Sequence, residues 1–278
     1  MAYVAGEPVR ADDLRTPMLE ATGGEILSEW VLDEMLRRRL DTAGQTLTQA
    51  DLDAERAVLL ATLSDDADDA ARLLGELRGR RGWGPTRFEA LLRRNAGLRA
   101  LVAQRGEVTD QAVQQAYRLQ HGPSARGRLI VAESLRAAQQ LRERILVGGE
   151  PFGEVAALAS TDVSAAQGGL LSPIRPEDTS YPSAMRQAIE LLEVGDVSQP
   201  VAIDGGFALI KLEENLSGSG VEFNEVRAEL EQAVRGRAER VLMQQLAREL
   251  ISGAELVVLD PTLKALWDAQ REVLLSPQ

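Results

Sequence analysis

Cysteine is absent from this 278-residue sequence, and histidine occurs once, as His121. The first absence excludes disulfides, thiol nucleophiles, zinc fingers and iron–sulfur ligation. The second excludes a multi-histidine metal site. It leaves a Ser-His-Asp triad only His121, in the turn-like run His121-Gly122-Pro123. Aromatic residues make up 4% of the chain. No apolar run approaches the ~20 residues that cross a bilayer, so no membrane span is expected. The opening Met1-Ala2-Tyr3-Val4-Ala5-Gly6 has neither the basic region nor the apolar core of a signal peptide. Basic residues are in deficit, 31 against 43 acidic, for a net charge of -12. That balance argues against a nucleic-acid partner, whose binding surface needs clustered positive charge. What is present is 44% hydrophobic residues, enough for a real core in one large or two ordinary domains.

The first 121 residues read as mostly helical. Tyr3 to Val9 suggests a short hairpin arm around Gly6-Glu7-Pro8. Leu27, Val31 and Met35, with Leu32, Leu36 and Leu40, recur at helical spacing with Trp30 between them, which predicts an apolar stripe on a helix of roughly residues 24–42. Thr48 to Asp51 has the pattern of a capping box with Asp in place of Glu, and opens a helix carrying Leu52, Leu59, Leu60 and Leu63. The acidic run Ser64 to Asp69 lacks the glycine of a calcium loop, because Ala70 stands there, and reads as the first turn of a helix. Gly82-Trp83-Gly84-Pro85 breaks that helix. Another follows with Phe88, Leu91, Leu92 and Leu98 inside and Arg93, Arg94, Arg99 and Arg105 on solvated flanks.

Between 122 and 216 the character changes. Arg128 to Val131 predicts a strand, Leu135 to Leu146 a helix, Phe152 to Ala159 a short helix, and Leu170 to Ile174 a second strand. A helix is expected around Ser183 to Leu192. Val201 to Ile203 and Phe207 to Leu212 flank Asp204-Gly205-Gly206, a strong hairpin signal. Ser217-Gly218-Ser219-Gly220 has the composition of a flexible linker. Residues 217–278 then hold a long helix of about 222–251, a strand over Glu255 to Leu259 and a last helix from Asp260-Pro261. The expected fold class is α+β. Segments 1–121 and 217–278, each too short for a comfortable core, form one discontinuous helical domain around a small mixed domain at 122–216.

The stretch from about 124 to 214 resembles the parvulin family of peptidyl-prolyl isomerases. Arg128-Leu129-Ile130-Val131 looks like the family's first strand, and Pro151-Phe152 with Ala156 to Asp162 like its F-x-x-x-A helix leading to Ser-x-Asp. Gly168-Gly169 resembles its central glycine pair, Gly195 to Val201 its G-x-V-S-x-P-V signature, and Gly206 to Lys211 its last strand. The flanks are similar to the chaperone segments of SurA-like and PrsA-like folding factors. Val4 to Val9 resembles their opening strand and Val257 to Pro261 their closing one.

The resemblance implies an isomerase site at Asp162, Arg128 and Ala208, with the prolyl ring received by Tyr181, Met185 and Phe207. Two of these depart from the family. Arg128 and Ala208 stand where it usually carries histidines. Prolyl rotation requires only an apolar socket and a stabilised twisted amide, so no metal and no cofactor is expected. An Arg128–Asp162 ion pair would fill the site, so catalysis is expected to be weak or lost, with the domain kept for binding polypeptide. An active isomerase is the alternative. A structural or dimerisation module along the long helix is a second, against which Gln232, Arg237 and Gln244 interrupt a strict heptad. Unfolded or proline-containing polypeptides are the implied clients. The family suggests a periplasmic or other extracytoplasmic location, although composition alone leaves the cytoplasm open.

Overall fold

The computed structural model describes residues 2–103, 105 and 107–276. In chain order the elements are strands β1 (Ala2–Val4) and β2 (Glu7–Val9), then helices α1 (Ala11–Ala43), α2 (Gln49–Ala61), α3 (Ala67–Arg81), α4 (Pro85–Val102) and α5 (Asp110–His121). Strand β3 (Ser124–Ala132), helices α6 (Leu135–Leu146) and α7 (Phe152–Ala159), a 3-10 turn (Val163–Gln167) and helix α8 (Ser183–Glu190) follow. Strands β4 (Val201–Ile203) and β5 (Gly206–Leu216) precede helices α9 (Phe223–Ser252) and α10 (Pro261–Leu275). The chain forms two compact units, Met1–Glu107 with Arg235–Gln278, and Val108–Val234. The fold is α+β, with a discontinuous helical unit built from both ends of the chain and a small mixed unit between them in sequence.

The helical unit has one core to which distant segments contribute. Val31, Leu32, Leu36 and Leu40 of α1 pack with Leu98 and Val102 of α4, Met243, Leu246 and Leu250 of α9, and Trp267 of α10. Each such buried side chain stabilises the unit by roughly 1.5–3 kcal/mol of transfer free energy. Helix α1 begins at Ala11, thirteen residues before the expected start, and carries Pro17 inside it. Gly23 and Gly24 lie buried within it because α10 approaches there. A Cβ on Gly24 would stand 2.7 Å from the Leu266 carbonyl oxygen. Trp30 departs from the expected stripe and is 68% exposed.

The helix starts follow the sequence closely. The Thr48 backbone N–H donates to Asp51 Oδ2 at 2.7 Å, and this bond holds the Asp51 carboxyl below its ordinary range. Asp66 accepts from the Asp69 N–H at 2.9 Å, so the acidic run is a helix start. The strand expected over Glu255 to Leu259 does not form. Strands β1 and β2 pair with each other, and no described strand lies beside 255–259; Val257 and Leu259 are exposed.

Charged residues also enter this unit. The expectation of solvated arginines holds for Arg93, paired with Glu89, and fails for two others. The Arg94 side chain is 11% exposed and binds Asp33 through Nε at 2.6 Å. Arg99 reaches Glu55 with Nε and Nη2, and Glu239 with Nη1 at 2.6 Å. It thereby ties α4 to α2 and α9. Hydrogen bonding to Glu55 pushes the Arg99 guanidinium up, against the opposing effect of burial.

In the mixed unit, α5 and the first turns of α9 join the sheet-bearing segment. Tyr117 donates to the Val221 carbonyl at 2.6 Å and meets Phe223 edge-on. Asp110 pairs with Arg227 at 2.7 Å. The Ser217–Gly220 run is therefore no free linker. Ser219 N–H donates to the His121 carbonyl at 3.0 Å, and its hydroxyl lies 2.9 Å from His121 Nδ1. His121 is the last residue of α5, stacked on Tyr117.

Because Glu55 is buried with Arg99 as its partner, Arg99→Ala strands a carboxylate and should cost about 3–5 kcal/mol. Urea unfolding measures this. Arg93→Ala, on the exposed pair, should cost no more than about 1 kcal/mol.

Candidate functional site

The sheet of the mixed unit has the order β3-β5-β4, all antiparallel. Strand alternation sends neighbouring side chains to opposite faces. On one face Ile130, Ala132 and Leu209 pack under α6 and α7 with Leu141, Phe152 and Val155. On the other, Leu129, Val131, Ala208 and Ile210 pack under α8 with Met185, Ile189 and Ile174. β5 carries one extra residue, Glu213, where the partners of Arg126 and Gly127 shift from Glu214 to Leu212.

The family motifs turn out to build the edges of this sheet. Ser160 Oγ accepts from Val131 N–H at 3.0 Å, and Thr161 N–H donates to the Val131 carbonyl at 3.0 Å. Gly169 accepts from Leu129 N–H at 2.8 Å and has φ +75°, a conformation that favours glycine. A Cβ there would run into the Leu129 carbonyl oxygen. Beyond it, the expected second strand is reduced to single bridges at Leu170 and Ile174, with Pro173 between them unable to donate. Ser198 is buried. Its N–H donates to the Ile210 carbonyl at 2.8 Å, and its Oγ accepts from the Ile210 N–H at 3.0 Å.

These contacts divide the six expected site residues. Met185 and Ala208 are buried together on the α8 face, with Tyr181 half-buried beside them. Phe207 packs on the opposite face, against the α6–α7 core. Arg128 also faces that side. Its neighbour Leu129 and the register Val131↔Ala208 place Ala208 across the sheet from it. The expected Arg128–Asp162 ion pair does not form. Arg128 Nε pairs with Glu213 at 3.0 Å, and Nη1 donates to the Gly168 carbonyl at 2.9 Å. Lys211 completes the charge cluster on Glu213 at 3.1 Å. Asp162 instead caps the 3-10 turn, accepting from Ser164 N–H at 2.9 Å and Ser164 Oγ at 2.5 Å.

Asp162 and Tyr181 remain electrostatic neighbours. Burial, then the charges of Asp178 and Asp162, push the Tyr181 phenol above its ordinary value. Its hydroxyl reaches the Ser172 carbonyl at 3.4 Å. Tyr181 is thus a neutral phenol, a hydrogen-bond donor at every ordinary pH. Leu129, Leu171 and Ile210, which help floor this face, were not singled out by sequence. Alternation from Ala208 carries the signal for Ile210, but Leu171 lies in a loop with no such period.

A profile of the rotamase family, the PPIC-type PPIase domain, matches residues 129–214. Chaperone SurA of Dechloromonas aromatica is 31% identical over 236 residues, covering 78% of this chain and 52% of that protein. Foldase protein PrsA 4 of Bacillus cereus is 26% identical over 266 residues, covering 92% of this chain and 85% of that one. The crystal structure of the peptidylprolyl isomerase PrsA from Bacillus anthracis shares the fold at a TM-score of 0.50 and 17% identity, covering 84% of this chain and 100% of that chain. The matches span 26–63% of the length of the SurA relatives.

Two outcomes follow from the geometry. Asp162→Asn removes one of the charges that oppose the Tyr181 phenolate, so its titration should move down in pH while burial keeps it above the ordinary value. Absorbance titration, with Tyr181→Phe to assign the transition, measures this; an unmoved transition separates the two residues. Gly169→Ala should destabilise the chain by about 1–3 kcal/mol in urea unfolding. Gly205→Ala serves as the comparison, because its φ is also positive but its Cβ would meet nothing within 4 Å.

Proposed function

We propose, on the premise that this chain is a SurA- and PrsA-like member of the PPIC-type peptidyl-prolyl isomerase family, that it binds unfolded polypeptide and retains little or no isomerase activity. One observation carries the second half of this reading. The face that would receive proline is floored by buried Met185, Ala208 and Ile210, while Arg128 is turned to the other side and held by Glu213. Rotation about an X-Pro bond has a barrier of roughly 20 kcal/mol, and lowering it needs groups that favour the twisted amide over the planar one. Ala208 offers no polar atom for this, and Asp162 commits Oδ1 to the N–H and hydroxyl of Ser164. Tyr181 packs against this face and carries a phenol hydroxyl.

Polypeptide binding draws its support from the helical unit. Leu14, Met18, Ile26 and Trp30 stand exposed along the first half of α1, and a cleft of about 620 Å³ runs beside them with Leu19, Leu27 and Leu263 in its wall. Exposed apolar surface of this kind on a strongly acidic chain suits a holder of apolar segments that itself stays dispersed. In this reading the helical unit, 1–107 with 235–278, carries the client-holding role, and 108–234, rather than the expected 122–216, adds a second surface for extended chain. The clients are unfolded or proline-containing polypeptides. The likeness to SurA and PrsA favours a place outside the cytoplasm.

A protease-coupled assay on short Xaa-Pro peptides tests the enzymatic half. Relaxation should stay near the spontaneous time, on the order of tens to hundreds of seconds at 25 °C; rates typical of an efficient isomerase would overturn it. Suppression of aggregation of an unfolded client tests the other half. Trp30→Ser should weaken client affinity roughly tenfold, the loss expected for one large buried side chain. A wild-type chain that does not suppress aggregation removes this reading.

A further inference from the structure

Between the bridge at Ile174 and the start of α8 at Ser183 the chain has neither strand nor helix, and Pro176 and Pro182 in it have no N–H to donate. Two turns close inside this loop. Asp178 N–H donates to the Arg175 carbonyl at 3.0 Å, and Tyr181 N–H to the Asp178 carbonyl at 3.4 Å. The Asp178 carboxylate takes the N–H and the hydroxyl of Ser180, at 3.0 and 2.6 Å. Two arginines join the loop to its surroundings. Arg118 of α5 holds Glu177 at 2.6 Å. Arg186 of α8 donates Nε to the Tyr181 carbonyl at 3.2 Å and Nη1 to the Pro176 carbonyl. Its fork thus spans residues 176–181 from first to last, one position after Met185, whose side chain floors the α8 face. Asp178 feels the Arg186 charge without bonding to it. Hydrogen bonds from Ser180, then the charges of Arg175 and Arg186, hold its carboxyl below the ordinary range.

We propose that Arg186 is a positioning residue for the α8 face: it pins both ends of residues 176–181 to α8 and so holds the Tyr181 hydroxyl where it donates to a backbone carbonyl of a bound proline-containing chain. A guanidinium suits this task because its donors lie in a rigid plane and reach separate acceptors, whereas an ammonium gathers its donors on one atom. The Tyr181 ring packs against the cluster of Met185 and Ala208. Its place there depends on where the backbone at 181 is held, and no sheet ladder holds it. In the free chain the hydroxyl reaches the Ser172 carbonyl at 3.4 Å, beyond the usual range of an O–H bond. A client carbonyl therefore displaces a weak bond. The proposal rests on the preceding reading in taking the α8 face as the place where proline is received.

Absorbance titration of the full chain reads the place of the phenol directly, with Tyr181→Phe to assign its transition. Burial is the main reason this phenol titrates high, followed by the charges of Asp178 and Asp162. Arg186→Met keeps an apolar stem and removes the fork. Loss of a nearby cation would by itself raise the titration, because the phenolate loses a favourable charge; release of the loop lowers it by admitting water. The expected result is a fall towards the ordinary value, and an unmoved or raised transition overturns the proposal. Arg186→Lys keeps the cation but does not span both carbonyls, so it should show the same fall and stands in if Arg186→Met does not fold. Fluorescence anisotropy with a labelled extended peptide containing one proline reads the consequence. Arg186→Met and Tyr181→Phe should each weaken binding roughly fivefold, the worth of one hydrogen bond, and together no more than either alone. Losses that multiply overturn the assignment to Tyr181. Full affinity in Tyr181→Phe removes the α8 face as the proline-receiving surface, and the titration then decides the Arg186 clamp by itself.

Discussion

The antiparallel pairing of β3 with β5 is the constraint on which the mixed unit depends. Along Leu129–Ala132 and 207–210 both faces are covered, so successive side chains are committed alternately to the α8 core and to the α6–α7 core. A shift of one residue would exchange the two sets completely. The neighbouring segments are then selected for close approach to this pair. Gly169 comes close enough to Leu129 to exclude any Cβ, and Ser160 and Ser198 supply hydroxyls that accept the Val131 and Ile210 N–H groups. With the register settled, Arg128 and Ala208 have no way to share a face, whatever side chains occupy them.

The helical unit solves a different problem, since its residues come from opposite ends of the chain. Apolar burial supplies most of the drive, through Leu36 and Leu98 on one side and Leu246 and Trp267 on the other. The Arg99 fork adds orientation. It joins α2, α4 and α9 through two carboxylates, one of them buried. Such a group contributes little net stability relative to a well-packed apolar replacement, but leaving either partner alone is costly. The aligned glycines of α1 show the same economy of space, because α10 passes over Gly24 at backbone distance.

Local rules made much of this legible beforehand. The capping residues Thr48, Asp66 and Asp260 each start the helix their type predicts. Asp204-Gly205-Gly206 closes the β4–β5 hairpin, and periodicity locates α6 and α8. The errors arise where a partner far along the chain decides. Gly23 and Gly24 look like a helix boundary until α10 lies against them. Arg94 and Arg99 look solvated until Asp33 and Glu55 appear opposite. Val257 and Leu259 have strand composition, yet no described strand lies next to them to make a ladder. The candidate site depends on distant partners in the same way: motif positions carry no facing, and the β3–β5 register turns Arg128 and Phe207 away from Tyr181, Met185 and Ala208.

That division separates two things a family signature encodes. Ser160, Gly168-Gly169 and Ser198 are among the residues by which the resemblance is recognised, and each has a structural duty here that no substrate is needed to explain. Arg128 and Ala208, which the resemblance sets against family histidines, have surroundings that their own side chains fit. Ala208 fits a fully buried place with no polar partner, and Arg128 finds three acceptors in Glu213, Gln167 and Gly168. The glycines and serines that hold the sheet edges together are thus accounted for by the fold alone. The strength of the resemblance measures how well the fold is preserved. Whether the chemistry persists depends on the few atoms, chiefly the Tyr181 hydroxyl and the Asp162 carboxylate, that remain on the α8 side of the sheet or beside it.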